Sequence, residues 1–403
     1  MVEFDGIGKV TINDLPLDAK TVLVRVDFNV PFKPNTCDIA DPSRVRASLP
    51  TILNLTARQS KVILCSHMGR PNGKKVPALS LRPVAHLLSN DLGRRVLFSD
   101  DCLGDRVSQQ VREMGEGDVL LLENLRFHRE EELNDRGFAM KLASLADFFV
   151  NDAFGVSHRS HASITGIPSH LPSAAGLLLE REIKMLGDVL SDPKRPLIAL
   201  LGGSKISDKL KMVEKLVGIA DNVLIGGGMA ATFLKAAGFE VGHSPVESEL
   251  FGFVHGIYGK DEVRSGFSSV HLPSDVVVQS GQNNSSSHRV VSIDNISPVE
   301  TILDIGPDTI SKYRLILEES GTVLWNGPLG MYEFPQFALG TQKLAEVISG
   351  GAMTSVVGGG STADAVTRFG FEPGMDHVST GGGASLEFLQ NGTLPGISVI
   401  PDK

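Results

Sequence analysis

The chain has 403 residues, enough for two domains that each bury a core of their own. It is 41% hydrophobic and 21% charged, with a formal net charge of -9, which argues against the basic surface that nonspecific nucleic-acid binding requires. No run approaches the ~18 apolar residues of a membrane span, and the first residues show no basic stretch followed by an apolar one, so we expect neither membrane insertion nor a signal peptide.

The cysteines point to a reducing compartment. There are three of them, without C-x-x-C spacing, and an odd number of this kind predicts neither a disulfide framework nor a zinc site. We therefore expect a cytoplasmic protein with free thiols at Cys37, Cys65 and Cys102.

Short runs of Val, Ile and Leu alternate with helical patterns, which is typical of parallel α/β sheets. The strands are predicted at residues 22–26, 62–65, 96–98, 119–122, 148–150, 197–201, 223–225, 323–325 and 354–357. This alternation of strands and helices is interrupted between residues 156 and 179 and resumes with a helix over 180–190. We predict an α/β fold with two doubly wound parallel-sheet domains, 1–179 and 180–392, and a tail, 393–403, that can return to the first domain.

The first strand ends in a polar motif. It reads VLVRVDFNVP and places Arg25, Asp27 and Asn29 at the carboxyl end of a predicted parallel strand. Ligands of open α/β sheets collect just beyond such strand ends. A core strand with a capped exit loop is the alternative interpretation.

Basic residues follow several other strands of the first half. They come in the segments SHMGRP, ENLRFH and NDAFGVSHRSHAS, and Arg44 begins a predicted helix. Each one alone is better explained as a solvated surface group or a salt bridge at a strand end. Side chains leaving several strands at one end of a sheet converge, however, and guanidinium groups suit phosphates and carboxylates. The set is Arg44, His67, Arg70, Arg126, His158, Arg159 and His161.

The second half replaces basic loops with glycine-rich ones. GGSKISDK follows the strand at 197–201, and its Lys205 and Lys209 are predicted on one face of the next helix. Glycine triplets stand at 226–228, 358–360 and 381–383, where backbone N–H groups can approach an anion at a helix N-terminus. Ordinary tight turns remain the alternative. Neither a Walker motif nor a Rossmann G-x-G-x-x-G is present.

These motifs, in this order and over nearly the whole chain, resemble those of the phosphoglycerate kinase family. The resemblance implies reversible phosphoryl transfer between 3-phosphoglycerate with ATP and 1,3-bisphosphoglycerate with ADP, with Mg²⁺ accompanying the nucleotide. It implies Arg25 and Lys205 as catalytic residues. For the acid substrate it implies Asp27, Phe28, Asn29, Arg44, His67, Gly69, Arg70, Arg126 and Arg159.

The resemblance also assigns the nucleotide site. Lys205 and Lys209 would hold the phosphates, Asp208 would lie near the metal, and LWNGPLGMYE would supply Glu333 for the ribose. The resemblance further implies a monomer whose two domains are joined by a hinge, with the active-site cleft between them. The nucleotide-binding set is Gly203, Lys205, Lys209, Gly226, Gly227, Asn326, Gly327, Glu333, Gly359, Gly360, Ser361 and Thr362.

Three features depart from the family. Ser361 stands where most members have a metal-binding aspartate, and we interpret Asp364 as a helix cap rather than its replacement. The segment 279–303 diverges, and its Ser/Asn-rich part, 279–287, is predicted as an exposed loop. The tail carries Pro401 and β-branched residues where the family ends in a helix, which puts interdomain contacts from the tail in doubt.

Two other function classes remain at this stage. A catalytically weakened family member that binds nucleotide or a partner is suggested by Ser361, although Arg25, Lys205 and Lys209 are all retained. A dehydrogenase on a doubly wound sheet would need the dinucleotide fingerprint that the sequence lacks.

Overall fold

The computed structural model describes residues 8–34, 36–258, 269–281 and 288–403. The chain divides into two compact units. The N-terminal unit comprises Met1–Gly187 together with Asn391–Lys403, and the C-terminal unit comprises Asp188–Gln390. The predicted domain limits, the hinge and the cleft stay predictions.

The N-terminal unit contains a parallel six-stranded sheet in the order β3-β4-β2-β1-β5-β6. Alternate residues of the first strand enter two different cores, Val22 and Val24 on one face and Leu23 on the other, which explains its continuous apolar sequence. The strands are β1 Thr21–Val26, β2 Lys61–Cys65, β3 Val96–Phe98, β4 Val119–Leu121, β5 Phe148–Asp152 and β6 Ser173–Ala175.

Helices cover both faces of this sheet. Proline stands in the first turn of α2 and α3, where a missing N–H costs no helical hydrogen bond. The helices are α1 Ser43–Ala47, α2 Leu49–Ala57, α3 Arg82–Leu92, α4 Asp105–Glu113, α5 Arg129–Glu132, α6 Arg136–Ala143 and α7 Leu177–Ser191.

The C-terminal unit repeats the plan with a second parallel sheet in the order β15-β14-β13-β7-β8-β9, and adds a three-stranded antiparallel sheet in the order β11-β10-β12. The strands are β7 Leu197–Leu201, β8 Asn222–Ile225, β9 Ser269–His271, β10 Asp275–Ser280, β11 His288–Ser292, β12 Glu300–Ile305, β13 Thr322–Asn326, β14 Thr354–Gly358 and β15 His377–Val378. The helices are α8 Leu210–Ile219, α9 Met229–Ala236, α10 Phe251–Tyr258, α11 Pro307–Glu318, α12 Leu339–Gly350, α13 Gly360–Arg368 and α14 Gly383–Asn391.

The tail packs within the N-terminal unit. It forms a short helix, α15 Pro395–Ser398, in which the Gly396 N–H donates to the Ser157 carbonyl at 2.8 Å. Near its end, Lys9 and Asp402 form an antiparallel bridge, and their side chains form an ion pair at 2.8 Å. The proline and β-branched residues of the tail therefore accommodate one helical turn followed by extended chain.

The predicted α/β class with two parallel sheets is confirmed, and each predicted strand coincides with an observed one. The prediction of an exposed loop at 279–287 is wrong at its start, because Gln279 is a buried residue of β10. Residues 282–287 lie outside the described part. No helix in the described ranges is both long and apolar enough to cross a membrane.

Candidate active site

Arg25 lies near the carboxyl end of β1, a central strand of the N-terminal sheet, and is only 1% exposed. Its Nε donates to Ser163 Oγ at 2.8 Å and its Nη1 donates to the Val26 carbonyl. Nη2 approaches His67 Nδ1 at 3.3 Å. Since a guanidinium only donates, His67 Nδ1 accepts, and the ring proton belongs on Nε2. Three of the five N–H groups of Arg25 are thus committed to the protein.

The loop after β1 holds the next predicted residues together. Asp27 Oδ2 accepts from Arg44 Nη1 at 3.1 Å, and the same Nη1 donates to the Asn29 carbonyl at 3.2 Å. Asn29 Oδ1 accepts from the Gly69 N–H at 2.9 Å, which ties the first loop to the loop after β2. The Arg44 side chain remains 35% exposed, so part of its guanidinium faces solvent.

Phe28 does not present its side chain to the site. It is fully buried in the core, and its N–H donates to the buried Ser66 Oγ at 2.9 Å. Phe28 therefore fixes the course of the loop through packing.

Cations surround two buried histidines. Burial lowers the pKa of His67 well below its usual value, and Arg25 and Arg126 lower it further. Burial, with Arg126, Arg25 and Arg159, lowers the pKa of His161 to about 4. Both rings are consequently neutral at physiological pH. Arg25 and Arg126 act on both histidines.

The other predicted basic residues differ in accessibility. Arg126 is buried, donates from Nη1 to the Gly69 carbonyl at 2.8 Å and pairs with Glu132 at 3.2 Å. Arg70 is exposed and Arg159 is half-buried. Asn124 organises this region because its side chain accepts from the N–H groups of Met68 and Arg126.

Glu131 and Ser163 also belong to this site, although no sequence pattern singled them out. Glu131 is fully buried, and its two carboxylate oxygens accept from the Ser163 N–H at 2.9 Å and the Ser163 hydroxyl at 2.6 Å. Burial raises the pKa of Glu131, against the influence of Arg25. A run of three glutamates ordinarily indicates a solvated helix face, and nothing local distinguishes the middle one.

In the C-terminal unit, Lys209 connects two loops. Its Nζ donates to the Gly202 carbonyl and to Asn326 Oδ1, both at 2.8 Å, and lies 3.4 Å from the Asn326 carbonyl. Burial lowers the pKa of the ammonium to about 8, with Asp208 acting in the opposite direction. Lys209 therefore joins the loops after β7 and β13.

The prediction that Lys205 and Lys209 share a helix face is wrong. Helix α8 begins at Leu210, Ser207–Lys209 form a 3-10 turn, and Lys205 precedes that turn with its side chain exposed. Glu247 holds this segment by accepting from the Ile206 N–H at 2.6 Å and from the Ser207 hydroxyl. The exposed carboxylate of Asp208 lies on the same turn.

The glycines allow three loops to approach closely. Gly203 N–H donates to the Pro328 carbonyl at 2.8 Å and Gly227 N–H donates to the Leu329 carbonyl at 2.9 Å. A Cβ on Gly227 would lie 2.6 Å from the Gly203 nitrogen, and the φ angle of Gly227 is +64°. Because these N–H groups already have protein acceptors, these glycines contribute close packing of the loops rather than free donors. The same holds for Gly226, whose N–H donates to Leu201, and for Gly327, whose N–H donates to Thr362 Oγ1.

The N-terminus of α13 differs from these loops. Gly359 and Gly360 open the helix, Ser361 is exposed in its first turn, and no side chain caps it. Nearby, Asn326 Nδ2 is buried and has no partner in the described part of the chain. A Cβ on Gly359 would lie 3.1 Å from that nitrogen. The helix start and the amide together suit an anion.

The interpretation of Asp364 as a helix cap is wrong. It lies beyond the first turn of α13, and its Oδ2 accepts from the Tyr332 hydroxyl at 2.8 Å. Tyr332 belongs to the loop after β13, beside Glu333, whose side chain is exposed and whose carbonyl lies 3.5 Å from Arg368 Nη2. Helix α13 and this loop are therefore held together at two points.

One further cluster in the described residues has potential metal ligands, namely Asp101, Cys102 and His128. Asp101 already accepts from Lys75 at 2.8 Å and bonds His128 at 2.7 Å. An ammonium group in this position opposes a second cation, so we assign the cluster a structural role.

A basic cluster suited to a phosphorylated acid, together with lysines and an open helix start suited to nucleotide phosphates, defines a phosphotransferase. Comparison with known proteins makes this specific. The profile of the phosphoglycerate kinase family matches residues 12–392. The chain is 47% identical to the phosphoglycerate kinase of Dictyoglomus turgidum, over 98% of this chain and 100% of that protein, and 46% identical to that of Moorella thermoacetica with the same coverage.

Solved structures agree. The phosphoglycerate kinase of Coxiella burnetii superimposes with a TM-score of 0.88 at 36% identity, covering 97% of this chain and 98% of that one. That of Pyrococcus horikoshii gives a TM-score of 0.82 at 32% identity, with the same coverage. The chain belongs to the phosphoglycerate kinase family and carries its activity, phosphate transfer to and from the carboxyl group of 3-phosphoglycerate. The dehydrogenase and binding-only alternatives are not favoured.

Proposed function

We propose that the N-terminal unit binds 3-phosphoglycerate through its basic cluster and that the C-terminal unit binds the nucleotide through Lys205, the α13 N-terminus and Asn326. The observation that carries this assignment is the linkage of Arg44 and Arg126 through two loops. Arg44 donates to the Asn29 carbonyl, and Gly69 donates to Asn29 Oδ1 and accepts from Arg126. Cations gathered this closely are stabilised by a multiply charged anion.

The reaction needs little from the protein beyond orientation and charge. A carboxylate oxygen of 3-phosphoglycerate forms a bond to the γ-phosphorus of ATP, and the bond from that phosphorus to the bridging oxygen breaks, leaving its electron pair on ADP. The attacking group is already ionised, so no general base is required. Catalysis consists of alignment and neutralisation of charge on the transferred group.

The geometry divides the arginines by role. Arg25 is buried and bound by Ser163, Val26 and His67. We therefore propose that Arg25 orients the neutral His67 ring by donating a hydrogen bond to it, and that Arg25 adds positive potential to the site. Its predicted direct contact with the reacting group stays a prediction. Arg44 is partly exposed, and Lys205 is exposed, so these two cations are placed to contact ligands.

The donor set also fits Mg²⁺ carried by the nucleotide. Hard divalent cations bind oxygen ligands, and Asp208 offers an exposed carboxylate while Ser361 offers an exposed hydroxyl. The bound ion would supply charge neutralisation on the phosphates. Because Asp364 is engaged by Tyr332, we propose that Asp208 and the phosphate oxygens are the principal ligands.

We further propose that the protein acts as a cytoplasmic monomer. All three cysteines are free, and two of them, Cys65 and Cys102, are buried. This pattern suits a reducing compartment.

Steady-state kinetics with both substrates tests the assignment, using a coupled assay for ATP formation from 1,3-bisphosphoglycerate and ADP and its reverse. Arg44→Ala should raise the KM for 3-phosphoglycerate roughly tenfold or more, the loss expected for one charge-assisted hydrogen bond, and leave the KM for MgATP within about twofold. Lys205→Ala should weaken nucleotide binding instead.

Matched controls lie on the same elements. Arg46 shares α1 with Arg44 but pairs with Asp91 at 3.1 Å, and Lys211 is an exposed lysine near Lys205. Neither control substitution to Ala should alter either KM. Equal effects on both substrates, or absence of transfer in the unaltered protein, would contradict the proposal.

A further inference from the structure

Arg25 is a buried cation without a direct carboxylate partner. In the described part of the chain it forms no ion pair, although it is only 1% exposed. A buried charge needs compensation, since removing it from water is costly. The nearest compensating group through hydrogen bonds is Glu131, which is also fully buried.

A directional chain of hydrogen bonds connects the two charges. Arg25 Nε donates to Ser163 Oγ at 2.8 Å, and that hydroxyl donates to Glu131 Oε1 at 2.6 Å. The second oxygen, Oε2, accepts from the Ser163 N–H at 2.9 Å. Glu131 thus fixes both the main chain and the hydroxyl rotor of Ser163, and the rotor can then present only its lone pairs to Arg25.

The interposed hydroxyl has a chemical consequence. A carboxylate bound directly to a guanidinium takes two parallel N–H groups and competes with the carboxylate or phosphate of a ligand. Here the counter-charge is one hydroxyl away, so Arg25 is compensated through Nε alone. Its Nη2 remains directed at His67 Nδ1 at 3.3 Å.

We infer that Glu131, acting through Ser163, is a positioning residue that sets the orientation of Arg25 and, through Arg25, the tautomer of His67. The inference rests on the proposed binding of 3-phosphoglycerate by this cluster. Nothing in it involves the C-terminal unit, so the KM for the nucleotide should not change.

Glu131→Gln keeps the shape but places an NH₂ group opposite one of the two Ser163 donors, and it removes the charge. It should lower kcat/KM for 3-phosphoglycerate about ten- to hundredfold and leave the KM for MgATP within about twofold. Ser163→Ala keeps the carboxylate and its main-chain hydrogen bond but removes the hydroxyl, and should give a similar loss. If Glu131 acts through Ser163, the double variant should be no worse than the more impaired single variant.

The matched control is Glu130→Gln, at the exposed neighbour of Glu131, which should leave the kinetics unchanged. A readout independent of activity is the ¹⁵N shifts of the His67 ring, which should report Nε2–H in the unaltered protein and a mixture of tautomers in Glu131→Gln and Ser163→Ala. These shifts test the positioning role even if the unaltered protein fails to transfer phosphate, which would refute only the proposed function. Should Glu131→Gln fail to fold, Ser163→Ala alone decides. Additive losses, unchanged His67 shifts, or an equal effect on nucleotide KM would overturn the inference.

Discussion

Lys209→Met tests whether burial determines the pKa of the Lys209 ammonium, which joins the loops after β7 and β13. Burial lowers the pKa of Lys209 from 10.5 to about 8 in the folded protein. Between these values the unfolded chain binds one more proton than the folded chain, so the free energy of unfolding rises with pH. The difference of about 2.5 pH units, at ~1.4 kcal/mol each, corresponds to about 3.5 kcal/mol at most.

At neutral pH the substitution removes a charged donor from the Gly202 carbonyl and Asn326 Oδ1, and should destabilise the protein by about 1–3 kcal/mol. The unaltered protein should then gain stability over the variant from about pH 8 to about pH 10.5, and the gap should be constant below that window. Other titrating groups are common to both proteins and cancel in the difference.

The assay is urea unfolding without nucleotide, followed by fluorescence. The chain has a single tryptophan, Trp325, which is buried in the C-terminal unit and donates to the Gly327 carbonyl at 2.9 Å. Its emission therefore reports on the loop that Lys209 holds. Lys211→Met is the control, because its side chain is exposed. A gap that stays flat or narrows toward pH 10.5 would show that the hydrogen bonds outweigh burial and would refute the reasoning.

Three further predictions concern the site itself. Arg25→Ala should lower kcat by roughly two orders of magnitude with a much smaller change in KM, and an increase in KM alone would contradict this. Ser361→Asp should lower the Mg²⁺ concentration that gives half-maximal rate, and an unchanged Mg²⁺ profile would contradict the metal's place near α13. Tyr332→Phe and Asp364→Asn should each weaken ADP binding about fivefold, as measured by calorimetry. Additive losses in the double variant would show that the two groups act independently and would contradict this prediction.

The strands that carry the basic cluster were predictable because their side chains are buried on both faces. A run such as VLVRV leaves few alternatives to a central parallel strand, and the residues that follow it must then lie at the carboxyl edge of the sheet. Arg25, Asp27 and Asn29 were located by that rule. The antiparallel strand β11 was not predicted, since four of its five residues are exposed and the strand lacks a buried apolar run.

The conformation of the GGSKISDK segment could not be predicted locally. Its lysine spacing indicated a helix face, but Glu247, 40 positions from Ser207, holds the segment as a loop and a short 3-10 turn. Likewise, aspartate is a residue type that often caps helices, but the hydrogen-bond partner of Asp364 is the Tyr332 hydroxyl, 32 positions away. In both cases a long-range hydrogen bond overrides a local preference.

The acids of the N-terminal site explain why cations were easier to predict than their partners. A gathered set of arginines repels itself, so the folded unit must hold compensating carboxylates, and it does so with Asp27 against Arg44, Glu132 against Arg126 and Glu131 behind Ser163. The anionic ligand requires arginine, lysine or histidine at the strand ends, where a sequence pattern can locate them. A compensating carboxylate, in contrast, can stand at any buried position within reach of these cations. Glu131 is therefore chosen by the fold and not by the ligand. Its substitution should disturb the site without touching the substrate.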